Sequence, residues 1–588
     1  MDMHWSLKEL YSSFGSEQFE SDLEKVFEQI EKIKLWALDN LDTTDSSVSK
    51  IEAFIKMQIE FGNTYSRLYE YAFLTISVDA KNEKALQIIE SLENMITDLA
   101  EPSVRFKKWL SSLENLGTLI PCSDLLKEHT FYLKELISEN KYLLNDSEEV
   151  ILAKMKNTGS KSWEKLQELV SSTLLVDITL DGIDKKLPLS IVRNMAYEKD
   201  AVLRKTAYKA ELKSYEKIAE SSAAALNGIK GEVITECKLR GYSSPLEMTL
   251  IHSRMDKETL DVMFRAIEES LPTFRRYLKK KASLLGYKNG LPFFDLFAPI
   301  GETDMKFTYE EAKDFIIKNF TKFNPSLGSF AKNAFEKNWI DAMPRDGKRG
   351  GAFCSNIHSI RESRILSNFT GMFNDVITLA HELGHGYHGE CLKNETYLNS
   401  DYPMPIAETA SIFAETIIIN AALEEASKDE ALSILESDLM SSTQVIVDIY
   451  SRFLFEDRLF KIREKASLSV KELNELMLDS QRKAYGEGLD NNYLHPYMWV
   501  CKPHYYSAEY NYYNFPYAFG LLFSKGLYAL YLDKGEEFIK DFDILLMSTG
   551  KNNLIDVSKR MNIDLHSLEF WENSLALIKK DIDKFINI

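Results

Sequence analysis

The sequence predicts a mainly α-helical protein with a few short strands near the middle of the chain. Only 25 Gly and 14 Pro occur among 588 residues, about half of average usage, so tight turns are rare and long helices are favoured. Hydrophobic residues make up 45% of the chain, which is enough for a large buried core. From residue 17 to about residue 170, apolar side chains recur at three- and four-residue steps, the periodicity of amphipathic helices.

A first break in the helical pattern follows at residues 174–189. Apolar residues alternate there on both sides of Asp181-Gly182, a dipeptide typical of tight hairpin turns, which predicts a short β-hairpin. Helical periodicity returns from about residue 190 to residue 285. Residues 291–300 carry a proline near each end and are expected to be extended.

A second non-helical region covers residues 346–371. Its glycines disfavour helix, and residues 364–370 have the composition of a strand. A long helix is expected from about Asn374, and the last 170 residues again follow helical periodicity. The few strands are therefore expected next to the middle of the sequence.

The charge balance and the cysteines limit the classes of function. Lys and Arg number 71 and Asp and Glu number 90, a formal net charge of −19, which argues against nucleic-acid or anionic-membrane partners. Five widely spaced cysteines without a CxxC pair indicate reduced thiols in a cytoplasmic protein. No apolar run approaches the 18 residues of a membrane span and no secretory signal is evident. We therefore expect a cytoplasmic protein without a transmembrane helix.

The strongest chemical signal is the motif His381-Glu382-Leu383-Gly384-His385 inside the helix expected from Asn374. Residues i and i+4 lie on one helix face, so both imidazoles can reach one Zn²⁺. Glu382 projects beside them, where it can take a proton from a metal-bound water. The motif therefore predicts a zinc site with His381 and His385 as ligands and Glu382 as general base.

A zinc site of this kind needs a third protein ligand. His388 follows on the same helix, but three histidines on one straight helix converge poorly on a tetrahedral centre, so we expect it in the core or behind the ligands. Glu408 and Glu415 stand seven residues apart in an apolar helix that begins after Pro403 and Pro405. We predict Glu408 as the third ligand and Glu415 as the group that orients a ligand imidazole. Two His, one Glu and an open position describe a catalytic zinc, which most often hydrolyses peptide bonds.

Several further segments resemble the oligoendopeptidase F family, which is related more distantly to thimet oligopeptidase and neurolysin. The resemblance rests on residues 294–299 (FDLFAP), 339–341 (WID), 347–353 (GKRGGAF), 368–371 (NFTG), 375–388, 407–411 (AETAS), 502–506 (KPHYY) and 513–520 (YNFPYAFG). It covers roughly residues 190–580. It implies a two-lobed helical ellipsoid with a deep central channel, a few strands near the active site, one zinc ion and oligopeptide substrates. We accordingly divide the chain into an N-terminal helical region, 1–189, and a catalytic metallopeptidase region, 190–588.

The resemblance also implies a use for part of an unusual tyrosine cluster. Eleven of the 28 tyrosines lie between Tyr485 and Tyr531. His504 and Tyr517 are expected to donate hydrogen bonds to the developing oxyanion, with Tyr513 next and then Tyr510. The other tyrosines of the cluster are expected in the core, because aromatic residues at helical spacing usually pack there.

Two alternatives to a zinc oligoendopeptidase remain at the level of sequence. A carboxypeptidase on the same helical scaffold would need a positive group for the free C-terminus of its substrate, and no sequence feature singles one out. A helical peptide-binding protein that has lost catalysis is the other alternative, although the groups that catalysis needs are present.

Overall fold

A computed structural model describes residues 2–301 and 305–588, and helices dominate them, as the sequence predicts. The helices before the hairpin are α1 (Glu17–Asn40), α2 (Ser47–Val78), α3 (Glu83–Ile96), α4 (Ala100–Ser112), α5 (Leu116–Leu119), α6 (Asp124–Glu128), α7 (Thr130–Asn140), α8 (Asp146–Thr158) and α9 (Ser160–Ser172). Those after it are α10 (Leu189–Asn194), α11 (Ala201–Tyr215), α12 (Ala219–Arg240), α13 (Pro245–His252), α14 (Lys257–Leu284), α15 (Tyr309–Phe323), α16 (Pro325–Glu336), α17 (Phe373–Leu392), α18 (Met404–Ala407), α19 (Thr409–Glu425), α20 (Lys428–Thr443), α21 (Ile449–Arg463), α22 (Val470–Tyr485), α23 (Phe515–Lys534), α24 (Glu537–Ser548), α25 (Leu554–Lys559) and α26 (Leu568–Asn587).

The predicted β-hairpin is present. Strands β1 (Leu175–Leu180) and β2 (Ile183–Pro188) pair antiparallel, with Leu180 opposite Ile183. The two turn residues, Asp181 and Gly182, both have positive φ, 51° and 77°. This is the backbone of a type I′ turn, which an Asp-Gly pair favours.

A three-stranded sheet lies before α17 in the chain. Its strands are β3 (Ile340–Asp341), β4 (Phe353–Ile357) and β5 (Glu362–Leu366), in the order β3-β5-β4. Strand β5 runs parallel to β3 and antiparallel to β4, so β4 is an edge strand. The strand predicted at residues 364–370 is thus present but begins and ends earlier, and β3 was missed because two residues carry no periodicity.

The extended conformation predicted for residues 291–300 is wrong in part. Residues Phe293–Asp295 form a turn of 3₁₀-helix. The Asp295 carboxylate is fully buried and accepts a 2.6 Å hydrogen bond from Arg204 Nε of α11. A buried acid with such a partner favours a compact turn over an extended strand, because the carboxylate would be costly to leave unpaired.

The apolar residues form one large core and two smaller ones. The large core extends from Leu174 to Phe585. The smaller cores lie among the N-terminal helices between Leu10 and Leu136, and Ile357 of β4 joins one of them. The N-terminal helices therefore pack directly against the edge strand that precedes α17.

Residues Met404–Glu425 are long and apolar enough to span a membrane by length and composition, although no uninterrupted apolar run in the sequence predicted such a segment. Most of this stretch is buried inside the fold. It packs on α17 and α23 and carries Glu408 and Glu415. Apolar core helices pass the same test, so this stretch is weak evidence for a membrane span.

A buried ion pair joins α12 and α21. The Lys230 ammonium lies 2.7 Å from Glu456 Oε1 and donates a second hydrogen bond to Asn511 Oδ1 at 2.8 Å. Both charged side chains are completely inaccessible to solvent. Removing one partner would leave the other charge uncompensated in the core, which is far more costly than losing a surface pair.

We predict that Lys230→Met lowers the free energy of unfolding by about 3–5 kcal/mol. The matched control is Lys471→Met, since Lys471 is exposed and lies 3.9 Å from Glu475 within one helix; its effect should stay within about 0.5 kcal/mol. Urea unfolding followed by tryptophan fluorescence measures both. Equal urea midpoints for the two variants would contradict the prediction.

Candidate metal centre

Helix α17 brings the two motif histidines together on one face. His381 Nε2 and His385 Nε2 lie 3.1 Å apart. Glu408 Oε2 lies 3.3 Å from the first nitrogen and 3.5 Å from the second. Three donors bound to one tetrahedral zinc at about 2.0–2.1 Å would stand about 3.3–3.4 Å apart. The side chains of His381, His385 and Glu408 therefore form a triangle of the chemistry and size that Zn²⁺ requires.

Glu408 stands at the junction of two helices. Helix α18 ends at Ala407 and α19 begins at Thr409, so Glu408 takes a conformation between them, with φ −85° and ψ 4°. The Ser411 hydroxyl donates hydrogen bonds to Glu408 Oε2 at 2.8 Å and to the Glu408 carbonyl oxygen at 3.1 Å. The carboxylate is thus held by its own chain while it faces the two imidazoles.

Glu415 accepts a short hydrogen bond from His381 Nδ1. This bond turns His381 Nε2 toward the triangle, which is how carboxylates orient histidine ligands. Burial is the largest influence and works against protonation of His381, but the bond to Glu415 and the negative charges of Glu415, Glu408 and Glu382 together outweigh it and raise the His381 pKa to about 9. Burial, followed by the neighbouring His381, lowers the pKa of His385 to about 4, so that this imidazole is neutral.

Two glycines allow the helices of the site to approach closely. A Cβ on Gly384 would lie 2.6 Å from the Ala410 carbonyl oxygen and from Ser411 Cα, so α17 and α19 touch at this point. A Cβ on Gly520 would lie 2.8 Å from Glu408 Cβ, so α23 touches the α18–α19 junction. Such separations leave no room for any other residue type without a shift of backbone.

The edge strand β4 is attached to the other side of α17. Asn356 Nδ2 donates a 3.0 Å hydrogen bond to the His385 carbonyl oxygen, and its Oδ1 accepts one from Ser363 at 2.8 Å. Cys354 of the same strand is close enough to Glu382 for the carboxylate charge to act on it, and burial raises the pKa of this thiol well above its usual value. The motif helix therefore lies between α19 and a strand with a free edge.

Glu382 is the most enclosed acid of the site. Its side chain is only 5% exposed, and its Oε2 has no hydrogen-bond partner among residues 2–301 and 305–588. Burial raises the Glu382 pKa to about 7, with the positive His381 as the main opposing influence. A carboxyl group that titrates near neutral pH is suited to accept and return a proton.

His388 lies apart from the triangle. It is completely buried, donates or accepts a 2.8 Å hydrogen bond with Thr549 Oγ1 and stacks on the ring of Tyr402 at 4.0 Å. Burial lowers the His388 pKa to about 3, so it is a neutral core residue. This is the position expected for it from the sequence.

The residues expected as oxyanion donors form a row of rings. Tyr513 lies between His504 and Tyr517, with ring centroids 5.4 and 5.9 Å apart. Tyr517, at the start of α23, is half-buried, and burial, Tyr513 and the charge of Glu408 together raise its pKa. The Tyr513 hydroxyl lies 3.7 Å from Met404 Sδ and also interacts with the Tyr517 hydroxyl, whereas Tyr510 is largely exposed. The charge of Glu408 thus acts on Tyr517.

His504 is partly buried, and its Nδ1 atom has no hydrogen-bond partner in the part of the chain that the structure describes. Burial lowers the His504 pKa, and the positive charges of Arg452 and Lys502 lower it further. Tyr512 is buried in the large core, and Tyr528 and Tyr531 pack against this core, as expected.

Comparison with known proteins identifies the family. The family model described as Peptidase family M3 matches residues 194–577, well over half of the chain. The chain belongs to peptidase family M3. A second model, described as Oligopeptidase F, matches residues 114–174, within the N-terminal helices. The resemblance to oligoendopeptidase F found in the sequence is thereby confirmed.

Relatives in family M3 match along almost the whole chain. Oligopeptidase PepF of Bacillus subtilis is 24% identical, covering 99% of this chain and 86% of its own length. An oligoendopeptidase F homolog of Lactococcus lactis is also 24% identical, covering 96% and 89%. Among solved structures, a chain from Chlamydophila abortus aligns over 99% of this chain and 98% of its own with a TM-score of 0.84 and 22% identity. Oligoendopeptidase-F of Enterococcus faecium aligns over 96% and 97% with a TM-score of 0.71 and 18% identity. The predicted mainly α-helical fold of this peptidase family is confirmed.

Sequence reasoning missed four residues that shape the site: Ser411, Gly384, Gly520 and Asn356. The first three are small residues inside apolar helices, where they resemble ordinary packing positions. A glycine in a helix interior costs about 0.5–1 kcal/mol relative to alanine, so Gly384 and Gly520 were the available signals of close helix contact.

We predict that Gly384→Ala weakens zinc binding at least about tenfold and lowers stability by about 1–3 kcal/mol, because the new methyl group would push α19 away from α17. Gly117→Ala is the matched control, since nothing lies within 4 Å of a Cβ at that helical glycine. Competition with a zinc-sensitive dye and thermal unfolding measure the two effects. Wild-type zinc affinity in Gly384→Ala would contradict the prediction.

Proposed function

We propose that the chain is a zinc-dependent oligoendopeptidase that hydrolyses internal peptide bonds of short peptides. The observation that carries the proposal is the triangle of His381 Nε2, His385 Nε2 and Glu408 Oε2, 3.1–3.5 Å on a side, with the unpaired Glu382 carboxylate beside it. Membership of a peptidase family supports it, as do relatives described as oligoendopeptidases.

One zinc ion held by these three side chains would supply Lewis-acid polarisation and an acidified water molecule. Glu382 then acts as the general base: its carboxylate takes a proton from the attacking water and later passes it to the leaving amine. The water oxygen forms a new bond to the carbonyl carbon, the C–N bond breaks, and the products are a carboxylate and an amine. Glu415 keeps the His381 ring oriented throughout by its bond to Nδ1.

His504 and Tyr517 are proposed to donate hydrogen bonds to the oxyanion that develops on the carbonyl oxygen, with Tyr513 as the alternative tyrosine. The closeness of Tyr517 to Glu408 supports this role. Donors of this kind act strongly because they are already oriented and are shielded from water.

Short peptides are proposed as substrates because the site is enclosed. The side chains of His381, His385 and Glu408 are only 24, 19 and 21% exposed, and Glu382 is almost completely buried. A loop of a folded protein would need to unfold to reach such a site. The five unpaired cysteines support a cytoplasmic location.

The decisive variant is Glu382→Gln, which keeps the shape of the side chain and removes the base. We expect one zinc per chain to remain bound while turnover of a quenched fluorescent peptide of about 8–12 residues falls by about 10²–10⁴. Glu390→Gln is the matched control, since Glu390 lies two turns along the same helix and pairs with Lys393; its turnover should stay near wild type. Chelation should abolish wild-type turnover, and zinc should restore it.

Equal turnover in the wild type, the Glu382→Gln variant and the chelated protein would disprove the proposal. Mass spectrometry of the products separates it from the carboxypeptidase alternative. Internal cuts are expected, whereas stepwise loss of single C-terminal residues would favour a carboxypeptidase.

The two tyrosines are distinguished by paired variants. Tyr517→Phe removes one hydroxyl and is expected to lower kcat by about 10²–10³ with little change in KM, because the lost bond forms in the transition state. Tyr513→Phe removes a hydroxyl that lies 3.7 Å from Met404 Sδ and touches the oxyanion donor Tyr517 rather than the oxyanion, and it is expected to change kcat less than about fivefold. A larger loss in Tyr513→Phe than in Tyr517→Phe would reverse the assignment.

A further inference from the structure

A cavity of about 210 Å³ lies among α10, α11 and residues 495–502, apart from the donor triangle. Sites for drug-sized ligands occupy about 300–1,000 Å³. This cavity is therefore of a size for one amino-acid residue and too small for a large cofactor. Its walls are partly aromatic, from Tyr208, Phe293 and Phe294, and partly charged.

Most charges at the cavity are already paired with one another. Arg204 Nε lies 2.6 Å from Asp295 Oδ1, and this pair is buried. Arg193 Nε lies 3.7 Å from Glu211 Oε1, and Arg193 also donates a hydrogen bond of 3.5 Å to the backbone. These cations are neutralised within the protein.

Asp448 on the cavity wall is paired as well. It accepts a short bond from Arg452 and a 3.2 Å hydrogen bond from the Tyr485 hydroxyl. Asp448 ends a π-helical turn, Gln444–Asp448, between α20 and α21, and both end residues of this turn line the cavity. Turns of π-helix inside α-helices are rare and occur frequently at functional sites.

Lys502 differs from the other cations. It lines the cavity, and within residues 2–301 and 305–588 its ammonium has neither a hydrogen bond nor a carboxylate at ion-pair distance. Burial and the adjacent Arg452 lower the Lys502 pKa, whereas Asp448 opposes them. Lys502 is partly buried, and a partly buried ammonium without a partner is less favourable than a fully hydrated one, so the cavity is suited to receive an anionic group.

The cavity wall is related to His504 through Lys502. Lys502 precedes His504 by two residues, and Pro503–Tyr506 forms one 3₁₀ turn between them and the tyrosine cluster. The charges of Lys502 and Arg452 both act on His504. Arg452, which bonds to Asp448 of the cavity wall, and Glu408 of the donor triangle both act on Tyr517.

We propose that this cavity receives a carboxylate of the oligopeptide substrate, with the Lys502 ammonium as its principal partner. The inference rests on the proposed peptidase function and extends it to substrate selection. Two sources supply the same chemistry: the C-terminal carboxylate of the peptide or an acidic side chain near that end.

The test measures binding without turnover, in the zinc-loaded Glu382→Gln protein. Three fluorescent peptides of about eight residues share one neutral sequence: one ends in a free carboxylate, one in an amide, and one in an amide after a terminal Glu. At least one carboxylate peptide should bind about tenfold tighter than the neutral amide, as expected for a hydrogen-bonded ion pair. A preference for the free acid identifies the C-terminus as the source, and a preference for the Glu peptide identifies the side chain.

Variants then assign the preference to Lys502. In Lys502→Met the ratio of affinities should fall below about threefold, whereas Lys502→Arg should retain most of it. Gln444→Glu is an isosteric change on the π-helical turn that places a carboxylate in the cavity, and it should weaken binding of the carboxylate peptide about tenfold. If Lys502→Met does not fold, this variant tests whether the cavity binds the carboxylate. Lys471→Met changes an exposed lysine in the first turn of α22 that does not line the cavity, and it should keep the full preference.

Equal binding of all three peptides, or a preference that survives both Lys502→Met and Gln444→Glu, would overturn this inference alone. Cleavage of the neutral amide peptide by the wild type is measured in parallel and reports the proposed function separately. Absence of both binding and cleavage for every peptide would overturn both proposals.

Discussion

The close contact between helices α17 and α19 is the feature on which the candidate site depends. Gly384 presents only backbone to the Ala410 carbonyl and to Ser411 Cα, so the two helices touch there. This contact brings Glu408, at the α18–α19 junction, close to Nε2 of His381 and Glu415, in α19, close to its Nδ1. One packing constraint thereby sets both the spacing of the donor triangle and the orientation of an imidazole within it.

The surroundings of the triangle then set the chemistry of each group. Burial alone disfavours every charge in the site, and the individual partners decide which group keeps one. The carboxylates of Glu415, Glu408 and Glu382 raise the pKa of His381 against the effect of burial, whereas burial and the neighbouring His381 lower the pKa of His385. Glu382 has no hydrogen bond on Oε2, so burial moves its pKa toward neutrality. Residues of similar type therefore reach different protonation states within a few ångströms.

The site is also connected to distant parts of the chain. Asn356 attaches strand β4 to the His385 carbonyl, and Ile357 of the same strand enters an N-terminal core. His358, the next residue, contacts Asn63 of α2 and the Glu395 carbonyl, which follows α17. On the opposite side, Gly520 allows α23 to contact Glu408. Helix α23 also carries Tyr517. Movement of either region relative to α17 would therefore change the geometry around the candidate zinc site.

The sequence by itself determined the elements whose signals are local. Low glycine and proline content and helical periodicity predicted the helices, Asp181-Gly182 predicted the hairpin, and the four-residue spacing of His381 and His385 predicted that their imidazoles meet. Local signals also predicted Glu408 as a ligand. It follows a proline break and lies in an apolar helix, where an acid is rarely placed unless it has a partner. The short strand β3 and the 3₁₀ turn at Phe293–Asp295 were missed, because partners far along the chain, β5 and Arg204, stabilise them. The contact of Gly384 with Ala410 and Ser411, and the Lys502 ammonium that has no partner among the described residues, were decided only by the tertiary structure. Both depend on distances between segments that are separate in sequence and therefore leave no pattern in it.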